Sequence, residues 1–279
     1  MKLGMRAHDL GRMAPPQLAA ALRCHGFETA QLAIPKAISG VNNVYDVTPA
    51  LLEEVRKSFE DNSVEIGVLG CYCEIGLTDK DARMAEVEKF LCGIDHAKHV
   101  NAKLIGTETT NFSPQDDHLR EQAYFGLKES VLRICDKAER LGVNVGIETV
   151  AEHTLNSAQL TARLLEEVGS DRLKLIFDPV NLILTRQDIE QQSEIFEDFI
   201  NTLGEHIAAL HIKDITFEDG QKVWQNIGNG EIDYTHIFEW ARAKAKPYPV
   251  LREEVKPESV QIDIRQMLRF MRGDGKHRN

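Results

Sequence analysis

Long apolar runs are absent from this sequence. No segment reaches the roughly 20 consecutive apolar residues that a membrane-spanning helix requires. The first residues, MKLGMRAHDLG, lack the apolar region of a signal peptide. These absences predict a cytoplasmic protein without a membrane partner.

Cysteine is scarce and irregularly placed. The chain of 279 residues has five cysteines, an odd number without the spacing of a disulfide framework, so we expect free thiols in a reducing compartment. Cys71 and Cys73 stand two apart on a predicted strand, whereas cysteine metal sites normally need a wider spacing and a second pair. A buried strand position is the simpler interpretation of Cys71. The five are Cys24, Cys71, Cys73, Cys92 and Cys135.

Positive charge is in deficit. Lysine and arginine together number 33 against 44 aspartates and glutamates, which gives a net charge of −11 at pH 7. Because nucleic-acid binding needs a basic face, this balance disfavours a nucleic-acid partner. A glycine-rich dinucleotide-binding turn is also missing after the first predicted strand. An open, doubly wound nucleotide-binding sheet is therefore the weaker alternative for the fold.

Short apolar runs alternate with longer helical patterns along the whole chain. Eight such strand–helix units in about 250 residues describe a (β/α)8 TIM barrel. No linker or shift in composition divides the chain, so a single domain of residues 1–279 is expected. Strands are predicted at 2–8, 28–34, 64–72, 103–109, 144–150, 173–178, 207–214 and 249–255. Helices are predicted at 15–26, 48–61, 80–99, 118–142, 157–169, 188–204, 234–245 and 258–273.

Titratable residues stand at the ends of four consecutive predicted strands. The fifth strand ends in Glu148 and the sixth in Asp178. The seventh carries His211, and the eighth ends in Glu253 and Glu254. Functional groups of a TIM barrel lie at the carboxyl ends of its strands, so these side chains should meet at one mouth. Three carboxylates with one imidazole are typical ligands of Mn²⁺, Mg²⁺ or Co²⁺, with Zn²⁺ as a further candidate.

Each of these residues also has a purely structural interpretation. Glu148 would cap the next helix, and Asp178 would be a turn acid before Pro179. His211 would be a satisfied core histidine. Four such groups at the same end of neighbouring strands are harder to explain in that way. The sequence therefore favours a divalent-metal site.

Five motifs carry a resemblance to a known family. GIETVAEHT, LIFDPVN, LHIKD, IGNGEIDY and PVLREEV occur in that order between Lys103 and Val255. Their order and spacing resemble the sugar phosphate isomerase/epimerase family of the xylose isomerase-like TIM barrel superfamily. The resemblance implies four metal ligands, two of which, the glutamates, also act as acid and base in ketose epimerases. Relatives use the first acid after the last apolar run, which favours Glu253 over Glu254. The implied ligands are Glu148, Asp178, His211 and Glu253.

Further residues near the mouth are expected to contact substrate. By the resemblance, Asn181 occupies a position where relatives place a polar or histidine side chain near the metal. Glu108 ends the fourth strand, and His153 lies in the loop after the fifth. Lys213 follows the histidine of the seventh strand. The rim is also expected to include His8, Asp9, Asp214 and the IGNGEIDY turn with Gly228 and Gly230.

The resemblance implies an enzyme that acts on a small sugar or sugar derivative, as an isomerase or epimerase. The metal would bind a carbonyl and a neighbouring hydroxyl, and the glutamates would remove and return a proton. A lyase of the inosose dehydratase type is the alternative, since it begins with the same enolisation. An apurinic endonuclease-like DNA repair enzyme is more distant, because Asn181 stands where that enzyme carries a histidine. A homo-oligomer, a dimer or tetramer, is also implied.

Overall fold

Eight parallel strands close into a barrel. The computed structural model describes residues 1–112, 114–244 and 247–274. Its strands are β1 Lys2–Arg6, β2 Thr29–Leu32, β3 Glu65–Gly70, β4 Ile105–Glu108, β5 Val145–Glu148, β6 Leu173–Phe177, β7 Ile207–Ile212, β8 Ile215–Glu218, β9 Gln221–Trp224 and β10 Pro249–Arg252. All except β8 and β9 form the barrel, in the order β1, β10, β7, β6, β5, β4, β3, β2. The predicted (β/α)8 TIM barrel is confirmed.

Helices follow the barrel strands and cover the sheet. None of the described helices is both long and apolar enough to cross a membrane. The helix predicted over 188–204 is broken at Gln191 into two, and Ala245, the last residue of another predicted helix, lies outside the described residues. The helices are α1 Pro15–His25, α2 Ile34–Ala37, α3 Pro49–Asp61, α4 Lys80–His99, α5 Arg120–Leu141, α6 Ala158–Val168, α7 Arg186–Glu190, α8 Gln192–Leu203, α9 Thr235–Ala243 and α10 Val260–Arg272.

Local signals in the sequence start and stop these helices. Thr48 and Ser157 accept hydrogen bonds from the amides of Leu51 and Leu160, which satisfies donors that a helix start leaves free. Gly142 ends α5 in the left-handed conformation, with φ of 69°, where a side chain would be strained. The chain therefore turns from helix to strand at defined points.

Small residues let large ones fill the barrel lumen. Val68, Leu104, Ile176, Ala209 and Leu251 form a buried cluster there. A Cβ atom at Gly106 would lie 2.5 Å from Cδ1 of Ile176, and one at Gly146 would lie 2.7 Å from Cδ2 of Leu104. Glycine at these two positions makes room for the opposing side chains. The lumen is a packed floor beneath the carboxyl ends of the strands.

An antiparallel hairpin, which was not predicted, follows β7. The predicted seventh strand, 207–214, ends at Ile212, and β8 and β9 then pair from Ile215 to Trp224. Residues of the hairpin tip, Gly220–Lys222, line a 550 Å³ cavity together with Ala151 and Glu152 after β5 and Leu184 after β6. The hairpin therefore leans across the side of the mouth that is formed by β5 to β7.

Candidate active site

The strand alternation brings one layer of side chains to the mouth. In β6, β7 and β10 the lumen residues are Ile176, Ala209 and Leu251. Two residues further along each chain segment stand Asp178, His211 and Glu253, which therefore point the same way. By the same count Glu148 follows Gly146 and Glu108 follows Gly106. The predicted strand-end residues thus share one layer above the packed floor.

Three of the four predicted metal ligands lie within reach of a single ion. Each of Glu148, Asp178 and His211 offers a ligand atom, and these atoms lie within 4.8 Å of one another. Nδ1 of His211 is 3.2 Å from Oε2 of Glu148. Asp178 and His211 are each only 1% exposed. Buried groups of this kind, close together and unshielded by water, form a compact polar cluster.

Asp178 has two separate contacts, one for each oxygen. It follows the last residue of β6, and its Oδ1 accepts a hydrogen bond from the amide of Val180 at 2.9 Å. This bond caps the short 3-10 turn Pro179–Leu182, as the turn interpretation expected. Its Oδ2 lies 2.7 Å from Nζ of Lys213, inside the mouth. One oxygen of Asp178 therefore stabilises the turn after β6, and the other contacts Lys213 in the cluster.

Glu253, and not Glu254, faces the mouth. Oε1 of Glu253 is 3.4 Å from Nδ1 of His211, and its side chain is buried. Glu254 adopts a left-handed backbone conformation with φ of 57° and pairs with Nη2 of Arg6 at 2.8 Å, nearer the solvent. The predicted strand over 249–255 ends at Arg252, because the chain turns at these two acids.

Arg252, which interrupts the last apolar run, points away from the mouth. Its Nε lies 2.7 Å from Oδ2 of Asp263 in α10, and both side chains are buried. It also donates hydrogen bonds to the carbonyls of Glu253, Ile212 and Gln225. Arg252 thereby fixes the backbone that presents Glu253.

Lys213 is the buried cation of the cluster. Its Nζ lies 2.7 Å from Asp178 and 3.0 Å from Oε2 of Glu253, and it donates to Oδ1 of Asn181 at 3.4 Å. Asn181 in turn donates from Nδ2 to Oε1 of Glu148. Asn181 and Lys213, both predicted to contact substrate, therefore bind the carboxylates of the cluster. Each holds one glutamate in orientation through a hydrogen bond or ion pair.

Glu108 and His153 border the cluster on the side of β4 and β5. Nε2 of His153 is 3.9 Å from Oε2 of Glu108, and Nδ1 of His153 is buried without a hydrogen-bond partner among the described residues. Glu108 pairs in register with Glu148 across the two strands. Both residues therefore lie beside Glu148 at the edge of the cluster.

Three residues in the mouth, Arg6, Gln31 and Tyr72, were not predicted. Arg6 ends β1 and pairs with Asp9 at 2.8 Å and with Glu253 at 3.6 Å. Gln31 in β2 donates to the hydroxyl of Tyr72 at 3.0 Å. Polar residues at the ends of the first three strands were the available signal. His8 and Asp9 lie in a 3-10 turn after β1, which ends at Arg6, before the predicted end of that strand.

Asp214 anchors the IGNGEIDY turn. Its buried carboxylate accepts hydrogen bonds from the amides of Gly228, Gly230, Ile232 and Ile215 at 2.8 to 3.3 Å. A Cβ atom at Gly230 would lie 2.0 Å from that carboxylate. The segment is a tight turn before α9, fixed to the end of β7.

The charges of the cluster shift several pKa values. Burial and the neighbouring Glu148 raise the pKa of Glu108 to about 7. Burial opposes protonation of His211, but Glu253 and Glu148 outweigh it and raise the pKa of His211 to about 9. Burial likewise opposes ionisation of Glu253, yet His211, Lys213 and Arg6 hold the pKa of that carboxyl below its usual range. A metal ion bound to His211 would therefore have to displace a proton.

The donor set fits a divalent metal ion. Nε2 of His211 has no hydrogen-bond partner among the described residues, and Nδ1 has only its contacts with Glu148 and Glu253, although the ring is buried. Four carboxylates of the mouth, Glu108, Glu148, Asp178 and Glu253, face two fixed cations, Lys213 and Arg6. A divalent cation would offset this surplus and use the free imidazole nitrogen. The cluster can therefore hold a metal ion.

A closed eight-stranded barrel with acidic and imidazole groups at its carboxyl mouth defines the class of protein. The chain belongs to the Xylose isomerase-like TIM barrel family, whose model matches residues 18–272. The predicted family resemblance is thereby confirmed.

Individual relatives are distant in sequence. A ketose 3-epimerase from Arthrobacter globiformis is 25% identical over 148 residues, which are 52% of this chain and 46% of the relative. This chain therefore matches about half the length of that relative. The crystal structure of D-psicose 3-epimerase in the presence of D-fructose has a TM-score of 0.74 at 19% identity, covering 99% of this chain and 100% of that one. The structure of the IolI protein with a binding zinc atom has a TM-score of 0.74 at 16% identity and covers 99% and 100% of the two chains.

Proposed function

We propose that this protein is a divalent-metal-dependent sugar isomerase or epimerase. The observation that carries the proposal is the meeting of four strand-end groups in one buried layer. In that layer Nδ1 of His211 lies 3.2 Å from Glu148 and 3.4 Å from Glu253. The similarity to a ketose 3-epimerase supports a sugar as the substrate class.

Glu148, Asp178, His211 and Glu253 are the proposed metal ligands. A bound Mn²⁺, Mg²⁺, Co²⁺ or Zn²⁺ ion polarises a carbonyl group and acidifies the neighbouring C–H bond. These residues stand at the carboxyl ends of four different barrel strands, so the proposed site depends on closure of the barrel. Lys213 and Arg6 offset part of the remaining negative charge.

Glu148 and Glu253 are the proposed acid–base pair. One glutamate removes a proton from the carbon beside the carbonyl, and the other returns it to the opposite face or to the adjacent carbon. Asn181 orients Glu148 and Lys213 orients Glu253 through the contacts described above. Asn181, Lys213, Glu108 and His153 are the proposed contacts for the sugar hydroxyls.

Exchange with solvent tests this chemistry directly. Metal-loaded protein would be incubated in heavy water with ketoses, aldoses, their phosphates and inososes. We expect deuterium at the carbon next to the carbonyl of an isomerised or epimerised product. A product that keeps its original hydrogen would contradict the acid–base mechanism. A product that has lost water would assign the site to a dehydratase of the same fold.

Two adjacent glutamates provide a matched pair of variants. We expect Glu253→Gln to slow exchange by about 10²-fold, the usual scale for one acid–base group. We expect Glu254→Gln to retain most of the rate, because that side chain turns toward the solvent and contacts Nη2 of Arg6 instead of His211 or Lys213. Metal content measured in the same samples separates loss of the base from loss of a ligand. Full activity in metal-replete Glu253→Gln would overturn the assignment of the base.

A further inference from the structure

A separate cavity opens beside the mouth, between the chain segments that follow β2 and β3. It encloses about 460 Å³. One wall is formed by Ala33–Lys36, Asn42–Tyr45 and Val47, and the other by Leu69–Cys73 with part of α4. This side cavity contains none of the residues to which the proposed chemistry assigns a role. Its volume is comparable to that of small-molecule sites in other proteins.

The lining of the side cavity is largely apolar and includes two exposed aromatic rings. Ile34, Val47 and Leu69 are buried in its walls. Tyr45 is 61% exposed and Tyr72 is 38% exposed, although large aromatic side chains gain free energy when they are covered. A ligand that covers these two rings would recover that free energy.

Tyr72 joins the side cavity to the mouth. Its hydroxyl accepts the hydrogen bond from Gln31, which stands in the same layer as the strand-end groups, and its ring centroid lies 6.4 Å from that of His8. One ring is therefore a common wall of the two spaces.

Lys36 lies at the junction of the two spaces. Its Nζ is 3.6 Å from the ring centroid of Tyr72, and the ion pairs among the described residues include none for Lys36. A cation over an aromatic face is favourable but leaves hydrogen-bond donors free for a ligand. The junction is thus polar where a sugar oxygen would lie, whereas the lining of the cavity beyond it is largely apolar.

From this continuity we infer that the side cavity binds an apolar substituent, an aryl or short alkyl group, that is attached to the sugar. This inference rests on the proposed function, because the sugar itself must lie in the mouth. The substrate class is then a substituted sugar rather than a free one. A group covered by the two tyrosines and the aliphatic walls would add affinity that a free sugar lacks.

Two glycosides of one sugar test the inference without turnover. Phenyl β-D-glucopyranoside and methyl β-D-glucopyranoside have no free carbonyl, so their binding is measured apart from catalysis. Titration calorimetry on metal-loaded protein should show the phenyl compound binding about tenfold more tightly. Equal affinities would overturn the inference.

Filling the cavity provides the matching variant. Val44 is partly exposed in the cavity wall, and Val44→Trp should remove the preference for the phenyl compound while leaving deuterium exchange into an unsubstituted sugar unchanged. Val168→Trp, at the partly exposed end of α6, introduces the same side chain elsewhere and should retain the preference. A preference that survives in Val44→Trp contradicts the inference. So does a change of oligomeric state in that variant with the preference intact, which would assign the cavity to a second copy of the chain.

The two proposals fail in different ways. Isotope exchange without a phenyl preference contradicts only the role of the side cavity. A phenyl preference that depends on Val44, in a protein that exchanges no proton of any sugar tested, contradicts only the proposed chemistry.

Discussion

Asp178 and His211 each have a structural role in the core and a side-chain atom that is available to the strand-end cluster. Oδ1 of Asp178 caps the next turn, as expected for a turn acid before a proline. Oδ2 of the same residue lies inside the mouth beside Lys213, as expected for a member of the strand-end cluster. His211 is buried, as a core histidine would be, but Nε2 of its ring has no hydrogen-bond partner among the described residues. A core histidine normally has partners for both.

Metal retention tests these two residues. Protein purified without chelator should contain about one equivalent of Mn, Co, Mg or Zn. His211→Ala and Asp178→Asn should each lower metal affinity by about tenfold or more, because a ligand is lost from a buried site. Elemental analysis after dialysis measures the content, and circular dichroism checks the fold. His236→Ala, at an exposed histidine of α9, is the control and should retain the metal. Full occupancy in both site variants would refute the ligand set.

Prediction of residue positions succeeded where a titratable residue ends an apolar run, whereas the roles of these residues stay a prediction. The positions of Glu148, Asp178 and His211 in one cluster followed from that pattern. Strand alternation alone left Glu253 and Glu254 open, and the family resemblance favoured Glu253. The backbone turn at Glu254 gives the physical reason, because it directs that side chain away from the cluster. Arg6 and Gln31 were missed because a polar residue in a short strand has no distinct pattern.

At the scale of elements, the pair Arg252–Asp263 joins β10 to α10. Asp263 accepts from Arg252 and from the amide of Ile227, so it connects strand, helix and the preceding turn. We expect Asp263→Asn to lower the free energy of unfolding by about 3–5 kcal/mol, because it leaves a buried guanidinium without its counter-ion. Urea denaturation monitored by circular dichroism measures the change.

A surface ion pair is the natural comparison. Asp136→Asn breaks the exposed pair with Arg140 on α5 and should cost about 0–1 kcal/mol. The double variant Arg252→Met with Asp263→Leu should recover part of the loss caused by Asp263→Asn, since it removes both buried charges. Equal effects of the buried and the surface variants would disprove the coupling of β10 to α10.

Most elements were predictable because their signals are local. Caps, stop glycines and apolar runs predicted the eight barrel strands and the helices that follow them. The β8–β9 hairpin was missed, because each of its strands has only four residues and is largely uncovered, so it has no apolar face to recognise. The predicted seventh strand, 207–214, extends beyond the observed end at Ile212, because the sequence does not show where the chain leaves the barrel.

At the scale of the whole molecule, the barrel floor holds the mouth in place. Gly106→Ala should lower the free energy of unfolding by about 1–3 kcal/mol, since the added methyl group would lie 2.5 Å from Cδ1 of Ile176. The double variant with Ile176→Val removes that atom and should be more stable than Gly106→Ala alone. Thermal or urea unfolding measures both. A double variant that is less stable than both single variants would contradict the packing described here.

The four amide bonds to Asp214 have a consequence for the direction from which a substrate enters. The carboxylate of Asp214 fixes the turn before α9 to the end of β7 through hydrogen bonds. The β8–β9 hairpin, which covers the side of the mouth at β5 to β7, begins at the next residue, Ile215. This side of the barrel therefore forms a fixed wall. The opposite side of the mouth carries the 460 Å³ side cavity between the segments that follow β2 and β3, and we expect a substrate to approach from there. A sugar that takes this route meets Tyr72 before it reaches the four strand-end groups.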